Sequence, residues 1–242
     1  MTDHDYDFHE IDYSQIADLD PAEMEQGSEE WAQARCGLVT ASRCPDVTAV
    51  SKKGEAAARR NYRSELISEI LTNVPYPQYI SQEMKWGIEQ EPSARVAYEL
   101  KNDVLVETCG FILHPGVDRF GASPDGLVGE DGLIQIKCPN TSTHLAWMLS
   151  GSIPVEHMPQ MLAEMSCTQR AWCDFVSYDP RLPEHLQLYV RRFSRDPKLI
   201  AVLEREVEHF NQELDELLAA LPQKPQGVVL SMDQVAEDEV QF

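Results

Sequence analysis

No apolar run in the 242-residue chain approaches the ~18 residues of a membrane span, and its N-terminus lacks the basic start of a signal peptide. Both absences point to a cytoplasmic protein with no membrane role. Six cysteines (36, 44, 109, 138, 167 and 173) form no C-x-x-C pair, so reduced structural thiols are expected. The seven histidines include no HExxH or H-x-H spacing. Each is therefore expected to be a surface or packing residue. Basic residues are missing altogether from residues 1–30, which hold eleven acids, and from residues 226–242, which hold four.

The formal net charge of −21 by itself disfavours a nucleic-acid partner. Setting the two ends aside leaves 26 acids against 20 basic residues over 31–225. Such a body can still carry a local basic lining, and carboxylates gathered round a metal ion are neutralised when it binds. Length and a hydrophobic content of 43% suit one domain with extensions. The pattern divides the chain into an acidic arm at 1–27, a domain at 28–225 and an acidic tail at 226–242.

One stretch organises the rest. Gly121-Ala122-Ser123-Pro124-Asp125-Gly126-Leu127 carries turn chemistry, and Asp131-Gly132 gives a second tight-turn signal. Leu133 to Lys137 then alternates, which puts Gln135 and Lys137 on one face and Ile134 and Ile136 on the other. The apolar face is expected in a core. The polar face gathers Asp125, Gln135 and Lys137 where a hairpin bends, or else is the exposed side of an ordinary hairpin.

Other elements follow in order. Ser28 suits the cap of a helix through Trp31 that ends at Gly37. Thr40-Ala41-Ser42 would cap the next helix and offer an anion site there, with Arg35 close in sequence. Lys52, Lys53, Arg59, Arg60 and Arg63 form the densest basic cluster, which is either a solvated helix face or a contact with DNA backbone. Trp86 to Leu100 reads as helical, with Pro92 tolerable in a first turn and a kink in anything longer. Val104 to Leu113 reads as strands entering the hairpin. A helix over 156–168 carries a Met158, Met161, Leu162, Met165 stripe that belongs to a core, with Gln160 and Glu164 on a neighbouring face. Two strands, 172–178 and 186–193, precede a long helix started by Asp196-Pro197.

The stretches W-x-x-x-R-x-G-x-x-T-A-S (Trp31 to Ser42), W-G-x-x-x-E (Trp86 to Glu91), A-S-P-D-G-L, L-x-x-x-K-C-P (Leu133 to Pro139) and Y-D-P-R (Tyr178 to Arg181) occur in this order. Over residues 29–220 the chain resembles lambda exonuclease and the YqaJ-type viral recombinase nucleases of the PD-(D/E)XK superfamily. That resemblance implies an α/β fold, a central mixed sheet flanked by helices. It also implies a Mg²⁺-dependent alkaline exonuclease, Mn²⁺ being an alternative ion, that digests double-stranded DNA processively from 5′-phosphorylated ends. A ring-shaped homotrimer and a single-strand annealing protein as partner in phage-type recombination are implied as well.

By the same resemblance, Asp125, Glu91, the residue at 135 and the backbone carbonyl of Ile136 hold metal, and Lys137 assists catalysis. Arg35, Ser42, Ser123 and Gln160 serve the 5′ phosphate, and the segment around Lys52, Lys53, Arg59 and Arg60 reaches the duplex. The chain departs from the family at one place: Gln135 stands at the catalytic Glu position. An amide can offer its carbonyl oxygen to Mg²⁺ but brings no charge, so weak metal occupancy and severely reduced cleavage are expected. Two other functions stay open, a non-catalytic ring that binds DNA ends and recruits an annealing protein, and an acidic interaction protein with no DNA role.

Overall fold

The computed structural model describes residues 20–222 apart from 53 and 78. Most of the acidic arm, Lys53 and the acidic tail lie outside the described residues. The strands are β1 (Val39–Thr40), β2 (Val50–Ser51), β3 (Gly54–Glu55), β4 (Val106–Glu107), β5 (Ile112–Leu113), β6 (Phe120–Ala122), β7 (Gly126–Val128), β8 (Gly132–Lys137), β9 (Trp172–Tyr178) and β10 (Leu188–Ser194). The helices are α1 (Glu29–Ala34), α2 (Cys44–Val47), α3 (Ala57–Thr72), α4 (Gln82–Asn102), α5 (Thr141–Ser150), α6 (Met158–Thr168) and α7 (Pro197–Ala220).

A five-stranded mixed sheet in the order β10-β9-β8-β7-β4 forms the centre. Its β8–β9 pair is parallel and its other pairs are antiparallel. Both faces are covered. Leu133, Cys173 and Phe175 pack with Met161 and Met165 of α6 and with Leu203, Val207 and Phe210 of α7. On the other face, Ile134, Ile136 and Val176 pack with Ala94 and Tyr98 of α4. Strand β8 therefore alternates as its sequence requires, but its polar face is no open surface, and Gln135 is only 1% exposed. Parallel pairing with β9 sets β8 in the middle of the sheet, where helices cover both sides.

Asp196 caps α7 by accepting from the Lys198 and Leu199 amides, with Pro197 in the first turn. Helix α4 runs unbroken for 21 residues with Pro92 inside it. The carbonyl that Pro92 leaves without its helical donor belongs to Ile88, and both residues are on the exposed side of the helix. Strands β4 and β5 do not enter the hairpin together. β4 joins β7, whereas β5 pairs with β6 in a separate three-stranded sheet of order β1-β6-β5. The packed body also begins before residue 28: the Gly110 and Phe111 amides donate to the Ala22 and Pro21 carbonyls, and Met24 is buried. Among the described residues no helix is long and apolar enough to cross a membrane.

Candidate active site

Strand β1 lies parallel to β6 with Thr40 opposite Gly121. This short pairing lays the Trp31 to Ser42 stretch against the one that leads to Asp125. Residue 121 is glycine where the Phe111 ring packs against β6: a Cβ there would sit 2.3 Å from that ring. Ser28 caps α1 through the Trp31 amide, and the Trp31 indole donates to Ser123 Oγ at 2.9 Å. The Arg35 guanidinium stacks 3.7 Å from the Trp31 ring centroid. Arg35 has no acidic partner among the described residues, its Nε is buried without a hydrogen bond, and burial lowers its pKa. Arg35, Ser42, Ser123, Asp125, Gln160 and Glu164 all line one cavity of about 150 Å³.

The expected helix cap at this point is corrected. Residues Ala41–Arg43 form a 3-10 turn leading into the four-residue α2, and Thr40 makes no side-chain cap bond. So short a helix adds little dipole. What the structure places here are side-chain hydroxyls, with Ser42 Oγ 3.3 Å from Thr40 Oγ1.

Asp125 precedes β7 at the open end of the β7–β8 hairpin, one residue before the Gly126–Ile134 pair, and not at its bend. Its Oδ2 accepts from Gln135 Nε2 at 2.6 Å and from the Ile136 amide at 2.5 Å. On the same face Lys137 Nζ donates to Gln160 Oε1 at 3.3 Å, and Gln160 Nε2 donates to Glu164 Oε1 at 2.8 Å. From α4, Arg95 binds Glu91 Oε1 at 2.7 Å and donates twice to the Asp125 carbonyl.

The acids titrate high. Burial and the nearby Asp125 push Glu91 up to about 7, against the pull of Arg95 and Lys137. Burial raises Asp125, opposed by Lys137 and the Ile136 amide. Burial, then Asp125, lifts Glu164 well above the usual carboxylate range.

The sequence reading and the structure differ over the basic cluster. Arg59 is buried, donates to the Val47 carbonyl, pairs with Glu213 at 2.8 Å and lies over Phe210. Its expected contact with DNA is therefore corrected to a packing role that joins α3 to α7. Arg63 is held by Glu55 and Glu213. Lys52, at the β2–β3 turn, and Arg60, on α3, are exposed and have no acidic partner among the described residues. Sequence reasoning assigned no role to Glu164, Arg95 or Gln26. The first two had a signal: Glu164 is a polar residue four beyond Gln160 inside an apolar helix, and Arg95 lies four beyond Glu91. Gln26, which lines the cavity and donates to the Cys109 and Pro124 carbonyls, had none.

The donors around Asp125 suit a hard divalent cation such as Mg²⁺ or Mn²⁺ in kind: two carboxyls, an amide oxygen and a backbone carbonyl, with no His or Cys. Gln135 Oε1 is buried and without a partner, an acceptor left open. Among the described residues no three His, Cys, Asp or Glu side chains converge as a metal cage. The amide at 135 leaves the set one negative charge short of what a Glu there would supply.

Comparison with known proteins identifies the family of the chain. The YqaJ-like viral recombinase domain matches residues 30–171. The chain is similar to LHK-Exo, an alkaline exonuclease from Laribacter hongkongensis, with 48% identity and a TM-score of 0.73 over 79% of this chain and 95% of that one. LHK-Exo in complex with dAMP gives 47% identity and a TM-score of 0.74 over the same shares. A phage-related exonuclease from Haemophilus somnus shares the fold, with a TM-score of 0.60 at 14% identity over 76% of this chain and 96% of that one. No curated protein matches the chain in a sequence comparison. With more than half of its length matched by the family and near-half identity along most of a solved alkaline exonuclease, the chain belongs to the YqaJ-like viral recombinase family.

Proposed function

We propose that this chain is a recombination-type exonuclease that digests linear double-stranded DNA 5′ to 3′ from phosphorylated ends, with cleavage throttled at Gln135. One observation carries the reading: a single cavity joins an arginine without an acidic partner to the carboxyl of Asp125 and to Gln160. A terminal phosphate held by Arg35, Ser42 and Ser123 would place the first phosphodiester beside Asp125 and Lys137. Guanidinium and hydroxyl donors suit a dianionic end, which separates an end from an internal bond. The alkaline exonuclease relatives support the same reaction class.

Asp125, Glu91, the side-chain oxygen of Gln135 and the Ile136 carbonyl would hold Mg²⁺ or Mn²⁺. When bound, such ions supply Lewis-acid relief of phosphate charge and water of lowered pKa. Lys137 offsets charge that develops on the phosphate. The homotrimeric ring, processivity and an annealing partner rest on the resemblance.

A second reading, a ring that binds ends without cutting them, draws on a specific contact. The Gln135 amide donates to Asp125 Oδ2, so an N–H stands where a cation would draw on that oxygen. The substitution Gln135→Glu separates the two. It removes that donor and adds a charge. Mg²⁺-dependent digestion of 5′-phosphorylated duplex should rise by about a thousandfold, equivalent to ~4 kcal/mol of barrier. Equal rates before and after the substitution would remove residue 135 from the metal site. Absence of cleavage in the Gln135→Glu protein, with end binding retained, would favour the non-catalytic ring.

A further inference from the structure

Glu164 is fully buried in α6, faces the cavity, and plays no part in the reaction described above. Its Oε1 accepts from Gln160 Nε2, and Gln160 Oε1 in turn accepts from Lys137 Nζ. An amide has two unlike ends, and here each partner permits only one of them. An ammonium has no acceptor to offer, so Lys137 must meet the oxygen. Glu164 Oε1, whether of a carboxylate or the carbonyl oxygen of a protonated carboxyl whose proton sits on Oε2, meets the NH₂. With the 2.8 Å bond to Glu164 as the only hydrogen bond that its NH₂ makes among the described residues, Gln160 is held in one of its two flip states by Glu164. Without that acceptor the amide is free to turn and present N–H to an ammonium.

We propose that Glu164 is a positioning residue that acts through Gln160 to hold the Lys137 ammonium in the cavity. The relay deepens the nuclease reading and rests on it for its purpose, though its geometry stands by itself. It also explains why an apolar, Met-lined helix keeps a carboxyl at a fully buried position: one oxygen is bonded to Gln160 and the other has no partner. An acid so placed for stability alone would be expected to have both oxygens satisfied.

The test follows Lys137 directly, in the full chain with Gln135 and without a nuclease assay. With ¹³C-labelled lysine, a held side chain shows two unlike ε-methylene protons and restricted motion. Glu164→Gln is nearly isosteric, but its NH₂ can turn to the Gln160 carbonyl. The Lys137 ε-methylene pair should collapse to one averaged signal in Glu164→Gln, and likewise in Gln160→Leu. The exchange Glu164→Gln with Gln160→Glu puts an acceptor back before Lys137 and a donor behind it, so the split signal should return. In the Gln135→Glu background, Glu164→Gln should lower kcat by about tenfold, the loss of ~1.4 kcal/mol, and leave KM for duplex ends within about twofold.

An unchanged Lys137 signal in folded Glu164→Gln and Gln160→Leu proteins would overturn the relay, even with the Gln135→Glu protein active. A collapsed signal restored by the exchange, beside an inactive Gln135→Glu protein, would support the relay and count against the nuclease reading instead.

Discussion

Two arginines in this protein, Arg35 half-buried and Arg59 buried, each lie over an aromatic ring, yet differ in one respect. Arg35 stacks on Trp31 and Arg59 lies over Phe210. Arg59 is met by the Val47 carbonyl and Glu213, whereas Arg35 forms no ion pair among the described residues, feels Glu69 only at a distance and leaves its Nε without a bond. Burying a charge is costly unless it is paired, so a half-buried cation without an ion pair suits an anion that arrives from outside. The regions around the two differ in the same way. Arg59 and Arg63 share Glu213, while the cavity beside Arg35 also holds the unpartnered Glu164 Oε2, with Gln135 Oε1 open behind Asp125. One region is satisfied and holds helices together; the other is left incomplete around a space.

Exchanging the two arginines for a residue of similar length sharpens this contrast. Arg59→Met removes a buried network and should cost about 3 kcal/mol of stability, while any protein that folds keeps its preference for 5′-phosphorylated ends. Arg35→Met should do the reverse. Stability should change by less than about 1 kcal/mol, whereas the preference for 5′-phosphate over 5′-hydroxyl duplex should fall by about tenfold or more, the worth of a charge-assisted contact. Chemical denaturation and competition binding measure the two effects separately. A preference that survives Arg35→Met, or one that vanishes in folded Arg59→Met, would break the comparison.

Much of the frame was legible in the sequence because it is written in periods and caps. The alternation of Leu133 to Lys137, the Met stripe of α6 and the Asp196-Pro197 start of α7 are local signals, and the structure keeps all three. What escaped is non-local. Strands β1 and β6 are two and three residues long, too short to show a period, yet their pairing sets Arg35 and Ser42 beside Ser123. The roles of Arg35 and Arg59 depend on whether an acid such as Glu213, 154 positions away, folds back to meet them. Glu164 was visible as a polar residue inside an apolar stripe, but its meaning needs Lys137 on the neighbouring strand.

His157 tests whether every orphaned buried atom marks a ligand. Its ring stacks on Phe175 and meets the edge of Trp147, and its Nε2 is buried without a partner, but it does not line the cavity. Burial, with a smaller push from Lys137, holds its pKa down to about 4. The folded protein thus stays neutral at this residue while the unfolded chain takes a proton below ~6.5. Stability should fall as pH drops from about 6.5 towards 4, by ~1 kcal/mol once partial exposure is allowed for. His157→Phe should remove that part of the slope between urea midpoints at pH 7 and pH 5 and leave end binding alone. An unaltered slope would mean that the other histidines carry it.

The smallest effect concerns the cations that are neither buried nor paired. Lys52 and Arg60 stand exposed on the β2–β3 turn and on α3. Next to them Arg59 and Arg63, members of the same sequence cluster, are already neutralised by Glu213 and Glu55. Counterion release needs a charge that is free to meet phosphate, so among the described residues of this cluster the exposed pair qualifies. Each phosphate contact contributes about 0.9 to the slope of log K against log salt on duplex DNA. Lys52→Gln and Arg60→Gln should therefore each flatten that slope by about 0.9 and weaken binding at low salt, alike for every sequence and for both kinds of 5′ end. Arg63→Gln, by contrast, should leave the slope where it was, because its charge is spent inside the protein. A slope that responds to Arg63 and not to Lys52 or Arg60 would show that the ion pairs with Glu55 and Glu213 open when DNA binds, and that pairing in the free protein does not tell a packing arginine from a binding one.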